Sequence, residues 1–186
     1  MAKRVRSTGI LLATGGVLFI LSLGPEAIGI VRPEREGQVV NFSLYALFTG
    51  LMVVAAVLLG VGLWRMRAWT SGIGRFGRVG LYLSVASVAG LGLTALTLLV
   101  PAVQTAQPPG YTFVFFALGL LLSVIGPVAA CGLDGSSRML PFVVAGGAVL
   151  AWVPTVPWRD TGLLVLGLSW AGLGASMLRH RSDQGK

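Results

Sequence analysis

Residues 42–64 read FSLYALFTGLMVVAAVLLGVGLW, and residues 65–78 follow at once as RMRAWTSGIGRFGR. The first stretch carries no charged side chain. As a helix rising ~1.5 Å per residue it covers the ~30 Å hydrocarbon core of a bilayer. The second stretch holds Arg65, Arg67, Arg75 and Arg78 and no acid. An uncharged span that ends in a basic loop is the pattern of a membrane helix whose loop stays in the cytoplasm.

Working outward, the same alternation recurs along the chain. Apolar stretches fall at about 8–24, 42–64, 79–100, 111–131, 139–153 and 161–178, and 179–186 forms a polar tail. Of the 186 residues, 55% are hydrophobic and 11% charged, and the mean hydropathy is +0.85. A soluble domain averages about 25% charged residues. One water-soluble core of this size has no room for so much apolar surface, whereas lipid accepts it on the outside of each helix. The expected fold is therefore an all-α polytopic transmembrane bundle of six helices, forming a single integral membrane domain. The fifth and sixth stretches approach the ~17-residue lower limit for a span, so five-helix and re-entrant arrangements compete with six.

Charge sets the expected orientation. Lys3, Arg4, Arg6, the four arginines of 65–78, Arg138, Arg179, Arg181 and Lys186 fall on one side, against Arg32, Arg35 and Arg159 on the other. The positive-inside rule puts the first set, and with it both termini, in the cytoplasm. The six spans then form three hairpins, N-in and C-in. Arg6, Arg78 and Arg138 each precede an odd span, and Gly50-Leu51, Gly119-Leu120 and Gly167-Leu168 mark the even ones, a weak sign of a parallel repeat. The opening Lys3-Arg4-Val5-Arg6 and the apolar run after it resemble a signal peptide, but Pro25 directly follows the only cleavage candidate, Ser22-Leu23-Gly24. A retained first helix is expected. Arginine supplies 12 of the 14 basic residues, a bias associated with GC-rich prokaryotic genomes, so the expected setting is a prokaryotic plasma membrane.

The net charge of +8 does not point to nucleic acid, because the basic residues sit in small groups at span ends and form no continuous stripe. One cysteine, Cys131, permits no internal disulfide, and the lone His180 in the tail has no metal-binding partner nearby. Gly72-Ile73-Gly74-Arg75-Phe76-Gly77 fits GxGxxG but lacks the preceding strand and the later acid of a dinucleotide site. It reads as a cytoplasmic loop whose arginines can meet anionic headgroups. No catalytic, cofactor or metal residues are expected.

Two features stand as candidate sites. Glu26 follows Gly24-Pro25 near the outer edge of the first span, either as the first-turn acid of a short interfacial helix or as a proton- or cation-responsive carboxylate at the mouth of a cavity. Gly167, Ala171 and Ala175 form a four-residue ridge on the sixth span. Such ridges let helices approach closely, either within one bundle or toward a second copy or partner subunit. Ser22, Thr49, Ser84, Ser87, Thr94, Thr97, Ser123 and Ser169 are the intramembrane hydroxyls, available as helix glue or as a polar lining. No acid, lysine or histidine lies near a midplane, which argues against a proton-coupled pump. The expected activity is non-enzymatic, an accessory or oligomeric membrane subunit in contact with the lipid bilayer. The alternative is a small permease or channel for a neutral or weakly polar solute.

Overall fold

In lipid a backbone has no water to bond to, so each span satisfies its own amides by forming a helix. The computed structural model describes residues 2–24, 31–32, 38–39, 42–67, 75–99, 114–115, 117–119, 121–122 and 156–179. Four long helices account for most of them: α1 (Ala2–Ser22), α2 (Phe42–Met66), α3 (Arg75–Leu98) and α4 (Val156–Arg179). Residues 114–115, 117–119 and 121–122 are also helical. Glu26, Cys131, His180, the expected span at 139–153 and the tail from 180 onward lie outside the described residues.

The helices run past the apolar stretches that predict them. α1 begins at Ala2, within the basic segment, and α3 takes in Arg75, Phe76 and Gly77 of the GxGxxG run. Hydrogen bonding from residue i to i−4 does not stop where hydropathy does, so the hydrophobic boundary understates the helix. α4 starts at Val156 with Pro157 in its first turn, where a missing amide proton costs nothing. The sequence pattern starts this span at about 161, so the helix gains its first five residues, Val156 to Asp160, beyond the apolar stretch. α1 closes with a tightened turn, the Leu23 amide donating to the Ile20 carbonyl at 3.1 Å. Between α1 and α2, Val31–Arg32 (β1) and Gln38–Val39 (β2) form a two-residue antiparallel ladder with Val31 opposite Val39. This addition to the helical class lies between the first two spans, in the segment that carries Arg32 and Arg35.

Three of the helices contain segments long and apolar enough to cross a membrane: Val5–Ser22, Ser43–Met66 and Arg78–Leu98. α4 carries a shorter apolar segment, Thr161–Ala175. Each of the four is apolar on two sides. Leu12 and Phe19 of α1, Leu59 and Leu63 of α2, Leu81, Val88 and Leu91 of α3, and Leu163, Leu166 and Trp170 of α4 form one buried core. Val17 and Leu21 of α1, Leu47, Val54 and Val57 of α2, Leu93 and Leu96 of α3, and Leu168 of α4 stay exposed. A soluble bundle would show a polar outer face, whereas helices apolar all round suit a membrane-embedded protein.

Neighbouring helices are antiparallel. α1 packs on α2 and α4, and α2 packs on α3. Along the α1–α2 pair, Arg65 meets Ser7, Gly62 meets Leu12, Leu59 meets Gly15 and Phe48 meets Gly24, so α2 descends as α1 rises. Two of these contacts are reciprocal. A Cβ at Gly62 would lie 2.7 Å from Leu12 Cδ2, and one at Gly15 would lie 2.8 Å from Leu59 Cγ. Each helix thus offers a glycine notch to the other's leucine. The same logic joins α3 to the helical residues around 119, where a Cβ at Gly90 would stand 3.1 Å from Gly119 Cα.

The α1–α4 contact is closer still, because small residues face small residues. A Cβ on Gly16 would come within 2.8 Å of the Gly167 carbonyl oxygen and would collide with the Ala171 amide. One on Gly174 would lie 2.6 Å from the Gly9 carbonyl oxygen and collide with Ala13. Backbone atoms cannot rotate aside as a side chain can, so larger residues here must push the helices apart. Overpacking of this kind costs about 1–3 kcal/mol, and more where backbone must move. Gly172, on the same helix, has nothing within 4 Å of its Cβ position. Thermal denaturation in detergent should therefore show Gly16→Val and Gly174→Val strongly destabilised, and Gly172→Val within about 0.5 kcal/mol of the wild type. A Gly16→Val variant as stable as the wild type would contradict the close seam.

Candidate functional site

Among the described residues, helix contacts, hydroxyls and arginines supply the chemistry. Among the described residues no group of His, Cys, Asp and Glu could hold a metal ion. Asp160, near the start of α4, is the sole acidic residue described. Glu26 is not among them, so its two readings stand as they were.

The ridge predicted on the sixth span falls on α4, and its geometry is specific. Gly167 and Ala171 lie against Gly16 of α1, and Gly167 is buried, its Cβ position 2.7 Å from Ile20 Cγ1. Ala175 is half-buried, while its neighbour Gly174 is buried and makes the close approach to Gly9 and Ala13. The seam is therefore Gly9, Ala13 and Gly16 on one helix and Gly167, Ala171 and Gly174 on the other. Both sets step by four and then three residues. The sequence pattern followed strict four-residue steps and so selected Ala175 over Gly174, and it did not pair the ridge with α1. The four-then-three spacing was the signal, since both i+3 and i+4 lie on one helix face.

The hydroxyls follow a second rule. Ser22 donates to the Phe19 carbonyl at 2.6 Å, Thr49 to Tyr45 at 2.8 Å and Ser84 to Gly80 at 2.9 Å. Thr94 donates to Gly90 at 3.0 Å, Thr97 to Thr94 at 2.7 Å and Ser169 to Val165 at 2.7 Å. All six give their proton to a carbonyl three or four residues back on their own helix. This local bond hides a polar group in an apolar interior without a partner from another helix. It also commits the donor that a passing solute would need.

Thr8 departs from this pattern. It is 0% exposed, on the α1 face that also buries Leu12, and its Oγ1 has no hydrogen-bond partner among the described residues. A buried hydroxyl without a partner costs about 1–3 kcal/mol. Thr8→Val keeps the shape and removes that cost, whereas Thr8→Ala removes a packed methyl as well. Thr8→Val should raise the unfolding temperature in detergent and Thr8→Ala lower it. A loss of stability in Thr8→Val would show that the hydroxyl is bonded.

At the end of the bundle where α1 and α3 begin and α2 ends, basic and aromatic side chains gather. Arg6, Arg65, Arg67, Arg75 and Arg78 are all exposed. The Arg65 guanidinium donates to Ser7 Oγ at 3.4 Å, linking α2 to α1. Arg67 stacks over the Trp64 ring, 4.7 Å from its centroid, and Trp64 meets Tyr82 of α3 at 6.2 Å with a 58° tilt. The sequence singled out the arginines of this end as able to meet anionic headgroups. The part played by Tyr82 needed the α2–α3 pairing to be seen.

No protein family, no curated protein and no solved structure matches this chain. Its function must be read from these contacts.

Proposed function

We propose that the chain is a multi-pass protein of a prokaryotic plasma membrane, built as six spans in three hairpins with both termini in the cytoplasm. In this reading it acts without catalysis, through helix contacts, as an accessory or oligomeric membrane subunit. The observation that carries it is the fate of the hydroxyls. A solute path through an apolar bundle needs polar groups turned into a common channel. Six of the hydroxyls instead donate to their own helix carbonyls. Hydroxyls used in this way, together with glycine seams that bring backbones into contact, favour a dry, close-packed bundle over a permeation path.

The orientation draws support from the ends of the helices. The antiparallel pairing gathers Arg6, Arg65, Arg67, Arg75 and Arg78 at one end. Arg32 of β1 and Arg159 of α4 belong to the other. An excess of arginine at one end is what the positive-inside rule associates with the cytoplasm.

Two experiments test this reading. Mild detergent extraction of native membranes should recover the chain as a homo-oligomer or with a stoichiometric membrane partner. A monomer that conducts a neutral solute in liposomes, with flux abolished by Glu26→Gln, would replace the accessory role with that of a small permease. For orientation, Cys131 is the only thiol in the sequence and falls at the cytoplasmic end of the fourth span in the six-span arrangement. A membrane-impermeant thiol reagent should label it in inverted vesicles and not in intact cells. Labelling from outside intact cells would overturn the arrangement.

A further inference from the structure

α2 and α3 meet at their basic end in a feature that bundle packing does not require. Trp64 is 52% exposed and Tyr82 is 45% exposed, yet their rings meet across two helices, 6.2 Å apart and tilted by 58°. Large aromatic side chains that serve a core are buried in it, and these are not. Arg67 lies over the Trp64 ring, and Arg78 stands one turn before Tyr82 on the same face of α3. Contacts join Arg67, Trp64 and Tyr82, and Arg78 lies one helical turn from Tyr82.

Depth and charge narrow what these four side chains can meet. The apolar segments of the two helices run over Ser43–Met66 and Arg78–Leu98. Trp64 is thus in the last turn of one and Tyr82 one turn inside the other, at the level where aromatic belts sit between hydrocarbon and headgroups. The arginines stand at the outer limit of that zone. The sequence holds no acidic residue between Glu36 and Asp134, so every charge that α2, α3 and the loop joining them carry is positive. The Arg67 guanidinium lies over the Trp64 ring, and a guanidinium is a planar fork of N–H donors whose shape matches a phosphate.

We propose that Arg67, Trp64, Tyr82 and Arg78 form a clasp for the phosphodiester headgroup of an anionic phospholipid at the basic end of the α2–α3 hairpin. The two arginines bind the phosphate and the anionic headgroup from either side of the aromatic pair. The rings cover the glycerol and upper acyl region. This rests on the membrane reading of the chain, and it adds a specific lipid to a generic bilayer. Charge complementarity favours an anionic lipid over a zwitterionic one, whose own ammonium group would face the two guanidinium groups.

The test uses the full chain in vesicles of phosphatidylcholine and phosphatidylglycerol in equal parts, followed by gentle release and native mass spectrometry of retained lipid. The wild type should keep phosphatidylglycerol over phosphatidylcholine. Arg67→Gln and Arg78→Gln should each reduce that preference about fivefold, the order set by one basic side chain at an anionic surface. Arg179→Gln removes the same charge from the end of α4, a helix that packs on α1, and should leave the preference intact. Brominated phosphatidylglycerol should quench wild-type tryptophan fluorescence more than that of Trp64→Phe. Equal retention of both lipids would overturn the clasp, as would a loss in Arg179→Gln as large as that in Arg67→Gln. Displacement of the lipid by inorganic phosphate at low millimolar concentration would also overturn it, by making free phosphate the ligand. Flotation with vesicles and resistance to alkaline extraction are read on the same samples. If those hold and the lipid preference fails, the membrane reading stands and the clasp alone is lost.

Discussion

Close backbone approach along α1 is the constraint on which the rest of the bundle depends. Inside a bilayer, moving a leucine from lipid to a neighbouring helix gains little, because both surroundings are apolar. Association then depends on how many atoms come into van der Waals contact, and contact depends on what the helix surface lets through. α1 offers Gly9, Ala13 and Gly16 to α4, and Gly15 to α2. It is the helix that joins the last long helix of the chain to the second one. Without those notches the backbones would separate, and the buried leucines and Trp170 would lose the neighbours that make them a core.

The polar groups obey the same economy. A hydroxyl that reaches across to another helix would fix a distance between helices, whereas one that bonds its own carbonyl leaves that distance to packing. Ser22, Thr49, Ser84, Thr94, Thr97 and Ser169 take the second course. The charged groups are displaced to the ends, where arginine can stack on an aromatic ring and still meet headgroups. The interior is therefore shaped by size, and the ends by charge.

Much of the architecture could be read from residue patterns. The uncharged run at 42–64, followed by four arginines, predicted α2 and its basic end, because cost in lipid depends on composition alone. Helix limits were less legible at Ala2 and Arg75, and at Pro157, since backbone bonding continues beyond the apolar window and proline is as suited to a first turn as to a stop. The ridge at Gly167 and Ala171 was visible, but its partner was not. Many helices here carry small residues at similar spacing, and nothing local says which ridge faces which. Tyr82 passed unnoticed for the same reason: its meaning comes from Trp64, which lies on another helix.

By itself, then, the sequence determined the solvent this chain suits, the approximate helical segments, and which ends are basic. Those properties follow from local composition and from the period of a single helix. Only the tertiary structure decided that α4 returns to pack on α1, that Gly174 rather than Ala175 makes the closest approach, and that Trp64 and Tyr82 meet across two helices. Those properties depend on distances between segments far apart in the chain, and steric fit between two surfaces is not encoded in either surface alone.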